Sequence, residues 1–195
     1  MTDVAIATED ELSEALCQKL VSEVGLRSFL QLRRGGNGYL RSRMDAFCKM
    51  AQNYPVIVLT DQDKTPCASH LISDWLKNKI VPENLLLRVA VREVEAWLLA
   101  DEAAIRDHFG VNVRAPNIES IDDPKQFLLE AMRKSTRAIR NSLVDVRRGK
   151  AACGVGYNNE LVNFVDEAWD PTRASLNSDS LARMRRRLFE LAQRL

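Results

Sequence analysis

The residues with the sharpest chemical potential lie in Val56-Ile57-Val58-Leu59-Thr60-Asp61-Gln62-Asp63, an apolar run whose carboxyl end delivers two aspartates. In open α/β sheets ligands bind outside the carboxyl ends of the strands, so these acids are expected to face a site. Such a turn offers the hard oxygen ligands that Mg²⁺ takes beside water and phosphate, without any histidine. The competing reading is a plain strand-to-loop turn. A second acidic group, Thr8-Glu9-Asp10-Glu11, follows another apolar run. The spacing of Thr8 and Glu11 suits a capping box, which assigns Glu11 to the helix start, and Glu9 reads equally as ligand or cap. A third junction, Val91-Arg92-Glu93-Val94-Glu95-Ala96-Trp97, repeats the pattern. Acids gathered at neighbouring strand ends repel one another unless a cation is bound. Binding of a divalent cation, Mg²⁺ or Mn²⁺, is therefore expected, with Asp61 and Asp63 as candidate ligands, Glu9 still open between ligand and cap, and Glu95 an acid of the third junction. Lys125, in Asp122-Asp123-Pro124-Lys125, is either a cation near a transferring phosphate or part of an ordinary Asp-Pro helix start.

Strands and helices must bring these groups together. Residues 4–7 read as a first strand, and Leu12, Leu16, Leu20 and Val24 recur with helical period over 11–24. A weaker strand at 29–32 is closed by Arg33-Arg34-Gly35-Gly36-Asn37-Gly38, and Met44, Phe47, Met50 and Ala51 suggest a second helix. The unbroken apolar run at 56–59 implies burial on both faces, as at the centre of a parallel sheet. A helix through Trp75 and Leu76, a strand at 85–91 and a helix over 94–109 complete the series. The fold class is α/β, a mostly parallel sheet of about four strands flanked by helices, with a helical C-terminal extension. The expected boundaries are an α/β domain over 1–130 and a basic helical region over 131–195.

The chain has 195 residues with 28 basic and 27 acidic side chains, so attraction to a polyanion must come from a local patch. Residues 131–150 hold seven basic groups (Arg133, Lys134, Arg137, Arg140, Arg147, Arg148 and Lys150) against Asp145. That segment reads as a solvated face or as a surface for a nucleic-acid backbone, with Arg133, Arg137, Arg140, Arg147 and Arg148 as the phosphate contacts. Residues 149–158 read as a loop, and 161–169 and 181–195 as helices. Leu181, Met184, Leu188, Leu191 and Leu195 give the last of these an apolar face, fit for a lid or a partner. Cys17, Cys48, Cys67 and Cys153 have no C-x-x-C spacing and read as free thiols. His70 and His108 disfavour serine-histidine triads and histidine-rich metal sites and read as helix-surface residues, while Trp97 and Trp169 read as core. With no charged leader and no long apolar window, the expected setting is the cytoplasm, without a membrane segment.

The acid after the first strand (Glu9), the D-x-D after the third (Asp61, Asp63), the Glu-Ala-Trp-Leu-Leu-Ala-Asp run at 95–101 and the following Asp-Pro-Lys together resemble the Toprim-type domains. They are more closely similar to a bacterial Toprim-like family of unknown function, over roughly residues 3–130. The resemblance implies a nuclease related to the Toprim domains of overcoming-lysogenisation-defect proteins, in which acids hold Mg²⁺ for phosphodiester chemistry. It implies the full ligand set Glu9, Asp61 and Asp63, with Glu95 as an accessory acid. It also implies action beside an SMC/ABC-like ATPase in phage defence. One departure is that the usual Glu-Gly after the first strand is here Glu9-Asp10. That departure supports an alternative, a non-catalytic subunit that binds nucleic acid or an ATPase. A second alternative is a haloacid-dehalogenase-like phosphatase, because Leu59-Thr60-Asp61-Gln62-Asp63-Lys64-Thr65 matches the hhhhDxDxT signature, although a complete βα unit precedes it. The Gly35-Gly36-Asn37-Gly38 stretch lacks the arrangement of a P-loop.

Overall fold

A computed structural model of the chain describes residues 2–33 and 35–195. They form two compact units, one of residues up to Val91 together with Ala182–Leu195, the other of Arg92–Leu181. The boundary expected at 130/131 falls inside a helix of the second unit, because the apolar residues on both sides of it share that unit's core.

The first unit runs β1 (Thr2–Thr8), α1 (Glu11–Glu23), β2 (Leu26–Arg33), α2 (Asn37–Ser42), α3 (Met44–Met50), β3 (Val56–Asp61), α4 (Ala68–Leu76) and β4 (Leu85–Ala90). All four strands are parallel, in the order β2-β1-β3-β4. The two central strands carry the unbroken apolar runs, and 4–7 and 56–59 are all 0% exposed. Each such buried Val, Ile or Leu contributes about 1.5–3 kcal/mol relative to leaving it in water. Alternation divides the sheet into two faces. Ala5, Ala7, Val56, Val58, Leu85, Leu87 and Val89 join Leu40, Met44, Phe47, Leu71 and Trp75 of α2, α3 and α4 in one core cluster. The edge strand β2 extends beyond the expected 29–32 at both ends, and its pairing slips between Val4 and Ala5, leaving Phe29 as the extra residue, edge-on to Tyr54.

The second unit contains α5 (Glu95–Leu99), α6 (Glu102–Phe109), a 3₁₀ turn (Ile118–Ser120), α7 (Pro124–Met132), α8 (Arg137–Leu143), β5 (Val144–Arg147), β6 (Lys150–Cys153), α9 (Tyr157–Glu167) and α10 (Pro171–Ser175). The helix expected over 94–109 is two helices, because the Asp101 carboxylate accepts from the Ala104 N–H at 3.2 Å and starts α6 anew. The core of this unit includes Trp97 and Trp169, which are 0% and 1% exposed. Trp169 Nε1 donates to the Trp97 carbonyl at 3.0 Å, and Trp97 Nε1 donates to Ser180 Oγ at 2.7 Å. His70 is exposed on α4 as expected, whereas His108 is half-buried against Phe109 and Phe164.

One feature of the basic segment departs from expectation. Residues 150–153 are a strand rather than loop, since Arg147 and Lys150 pair across a two-residue turn, Arg148-Gly149, with both φ angles positive (52° and 78°). Gly154 then passes so close to α8 that a Cβ there would lie 2.3 Å from the Ser142 carbonyl oxygen. Arg133, Arg137 and Arg140 do not share one helix: Arg133 caps the end of α7, and Thr136 starts α8 with its hydroxyl facing the Ile139 N–H. The last helix, α11 (Asp179–Arg194), buries Leu181, Met184, Leu188 and Leu191, so its apolar face is covered within the chain. Arg185 Nε holds Glu23 at the end of α1 at 3.0 Å. No helix among the described residues is long and apolar enough to cross a membrane.

Candidate functional site

From β1 the chain passes to β2 on one side and then to β3 on the other, so the switch in direction lies between β1 and β3. A crevice opens outside the carboxyl ends at such a point. Glu9 follows β1 there, and Asp61 ends β3. One Glu9 carboxylate oxygen, Oε1, accepts from the backbone N–H of Asp61 at 2.9 Å and from the Thr60 hydroxyl at very short range. Burial pushes the Glu9 carboxyl above the usual glutamate range, those two hydrogen bonds oppose the shift, and Asp63 and Asp10 add to it.

Asp63 lies in a turn tied by Thr65 N–H to the Gln62 carbonyl at 3.0 Å and by Gln62 Nε2 to the Thr65 carbonyl at 2.8 Å. Its φ is +50°, a left-handed conformation that aspartate tolerates better than most residues. Asn37 Nδ2, at the start of α2, donates to Asp63 Oδ2 at 2.8 Å and aims that carboxylate. The glycine stretch that closes β2 thus delivers an orienting amide. Glycine is dispensable after Glu9: Asp10 has an extended φ of −144° and caps α1, accepting from the Ser13 N–H at 2.8 Å. Asp10, rather than Thr8, is therefore the cap.

Beside Asp63 a cleft of about 510 Å³ is lined by Asn37, Arg41, Lys64, His70 and the edge of Trp75. Arg41 spans it to Asp74 at 2.7 Å. Sequence reasoning assigned no site role to Asn37, Arg41, Lys64 and His70: Asn37 and Arg41 come from α2 and His70 from α4, while Lys64 follows Asp63 directly. The sequence signals were the position of Asn37 in the glycine stretch, which reads first as a strand terminator, and that of Lys64 beside the D-x-D.

The acids of the third junction belong to the second unit and are held there. Glu95, 3% exposed, accepts from the Tyr157 hydroxyl at 2.8 Å and faces Lys125 Nζ at 3.4 Å, whose ammonium also lies over the Tyr157 ring. Burial, and then Glu95, raise the Tyr157 pKa, so the phenol remains a donor at neutral pH. Glu93 accepts from the Lys125 backbone N–H at 2.9 Å; burial raises its pKa, that hydrogen bond opposes it, and Glu95 and Asp123 add to the rise. Asp123 caps α7 by accepting from Gln126 N–H at 2.7 Å, so the Asp-Pro-Lys is a helix start as well. Within the Glu-Ala-Trp-Leu-Leu-Ala-Asp run, Asp101 is a hub: it accepts from Arg173 Nε and Nη2, at 3.0 and 2.9 Å, and from the Asp170 N–H at 2.9 Å. Arg133 pairs with Glu130 at 3.0 Å and Arg147 with Asp145 at 3.0 Å, while Arg148 sits at the exposed hairpin turn.

Among the described residues no three His, Cys, Asp or Glu side chains form a ready-made metal cage. Glu9 after β1, Asp61 at the end of β3 and Asp63 in the turn that follows are the acids that these two strands deliver to the crevice.

The architecture and the crevice define an α/β protein with a four-stranded parallel sheet and carboxylates at its topological switch point. The family model described as Domain of unknown function (DUF4276) matches residues 7–154, and the chain belongs to that family. No curated protein and no solved structure matches it.

Proposed function

We propose that the protein performs Mg²⁺-dependent phosphodiester chemistry on nucleic acid, as the Toprim resemblance implies. The observation that supports the reading is the placement of Glu9 at the switch point, held by the Asp61 backbone N–H ahead of the turn that carries Asp63, beside a cleft lined by Arg41, Lys64 and His70. When bound, Mg²⁺ would supply Lewis-acid stabilisation of charge on the phosphate and activation of water. Asp63, aimed by Asn37, and Glu9, fixed by Thr60 and Asp61, would hold it. Arg41 and Lys64 would hold the substrate phosphate that the carboxylates alone would repel. The test is Mg²⁺- or Mn²⁺-dependent cleavage of labelled DNA and RNA by the full chain, with and without an ATPase partner. Loss of cleavage in Asp63→Asn with folding unchanged supports the reading, and no cleavage of any substrate by the parent overturns it.

One observation favours a second reading, a non-catalytic binding subunit. Both donors to Glu9 come from β3, an arrangement that clamps two strand ends whether or not a metal binds. Under that reading Glu9→Gln and Asp63→Asn retain full biological activity and partner binding.

A further inference from the structure

Within the second unit, α7 buries Leu128, Leu129 and Met132. Phe127 and Glu130, three residues apart on another side of that helix, line a groove of about 320 Å³ together with Lys134 just past the helix end. Asn112, Val113 and Arg114 also line it. The volume lies at the lower end of the range for small-ligand sites. Val113 is buried and Phe127 half-buried, which gives the groove apolar surface, and Asn112, Arg114 and Lys134 are exposed. Glu130 is the acid of the lining, and its carboxylate is already engaged. It accepts from Arg133 Nη1 at 3.0 Å, from Gln126 Nε2 at 3.2 Å and from the Ala151 N–H at 3.4 Å. Arg114 and Lys134, by contrast, have no ion-pair partner among the described residues.

Two cations without a paired acid, an aromatic ring and a carboxamide around one groove are the parts that recognise a nucleoside phosphate. A ring stacks on a base of any sequence, a guanidinium and an ammonium take phosphate oxygens, and a carboxamide both donates to and accepts from a base edge. A cationic ligand suits the groove poorly, because its carboxylate is held by three donors. We propose that this groove binds a nucleoside phosphate, with Phe127 stacking on the base and Arg114 and Lys134 holding the phosphate, from a single-stranded nucleic acid or from a free nucleotide. Phe127 and Arg114 lie outside the basic segment at 131–150, and none of these residues belongs to the cleft beside Asp63. The strand as source rests on the proposed function; the nucleotide site itself does not.

The experiment uses the full chain in metal-free buffer with chelator, so that cleavage plays no part. A labelled single-stranded oligonucleotide, intact or abasic, is titrated by anisotropy over a salt series, and thermal unfolding is followed with adenosine monophosphate against inorganic phosphate at matched ionic strength. Phe127→Leu should weaken binding of the intact strand about tenfold and leave the salt slope unchanged, since a base contact is lost and no phosphate contact. The double variant Arg114→Gln/Lys134→Gln should weaken it by a similar factor and flatten the slope by roughly 0.7 for each phosphate no longer neutralised. The abasic strand should bind the parent as weakly as the intact strand binds Phe127→Leu. Adenosine monophosphate at roughly millimolar concentration should raise the parent's midpoint more than phosphate does and leave both variants unmoved. That response without strand binding assigns the site to a free nucleotide, and strand binding without it assigns the site to nucleic acid. Asp63→Asn should bind both probes like the parent, so a failed nuclease assay leaves this result standing. If Phe127→Leu does not fold, the exposed double variant carries the test. A parent that binds neither probe, variants that bind as the parent does, or an abasic strand bound as tightly as the intact one overturn the inference. So does a parent that is dimeric where Phe127→Leu is monomeric, which assigns the groove to a second copy.

Discussion

The backbone N–H of Asp61 donates to Glu9 Oε1 at 2.9 Å, joining the ends of β3 and β1 through one side chain. This hydrogen bond ties together two acidic junctions far apart in the chain, and it sets opposite demands on Glu9. As an acceptor Glu9 is favoured by Thr60 and Asp61; as a charge it is disfavoured by burial and by Asp63.

Glu9→Gln and Glu9→Ala should therefore diverge in stability. The carbonyl oxygen of glutamine keeps the acceptor, whereas alanine leaves the Asp61 N–H and the Thr60 hydroxyl without theirs, at about 1–3 kcal/mol in urea unfolding. The pH dependence follows from the raised pKa of the native state. Below the ordinary glutamate range both states hold the proton and the effect vanishes. Between the unfolded and the folded pKa the native state binds more protons, so parent stability falls as pH rises, and above both the full penalty persists. Glu9→Gln should gain on the parent through that window and hold its gain above it. A constant difference from acid to neutral pH would show that the Glu9 charge is not the cause.

At Asp63 the backbone limits what can be substituted. With φ at +50°, Asp63→Asn should change stability by less than about 0.5 kcal/mol, since asparagine also tolerates the left-handed region. Asp63→Val should cost about 1–2 kcal/mol from the same backbone angle. Chemical denaturation checks both. Asp63→Asn should nevertheless abolish metal-dependent cleavage, and Asn37→Ala should reduce it while leaving the turn folded.

Asp101, 1% exposed, receives donors from α6, Asp170 and Arg173, so no single neighbour can replace it. Asp101→Ala should destabilise the protein by about 3 kcal/mol or more, as expected for buried donors left without an acceptor. Asp101→Asn should fall between, since it keeps an oxygen and removes the charge facing Arg173. Equal stability of parent and Asp101→Ala in guanidinium unfolding would contradict the hub.

The arginines of the basic segment should not act as a set. Arg137 and Arg140, three apart on α8, and Arg147 and Arg148 on the hairpin are exposed. Reversing the first pair to glutamate should flatten the salt dependence of oligonucleotide binding by roughly one unit for each phosphate that the pair neutralises. Arg133→Glu should do less, because Arg133 already pairs with Glu130 and ends a different helix. Anisotropy titrations over a salt series separate the cases.

What the sequence determined by itself was whatever depends on neighbours in the chain. The unbroken run at 56–59 could only be a strand covered on both faces, the α1 period announced its buried side, and the α/β class followed. Strand-end acids were legible for the same reason, as a change from apolar to acidic within a few residues. Local reading failed where a side chain made a distant choice. Asp101 divided an apparently continuous helical run because its carboxylate found an N–H to cap, and Arg148-Gly149 turned an apparent loop into a hairpin through two positive φ angles. The partners of Glu9, the amide of Asn37 on Asp63 and the enclosure of Glu95 by Tyr157 and Lys125 were decided by tertiary structure alone. Hydrophobic periodicity records which face of an element is buried, but a hydrogen bond or an ion pair depends on which strand ends and helix turns the topology brings within about 3 Å.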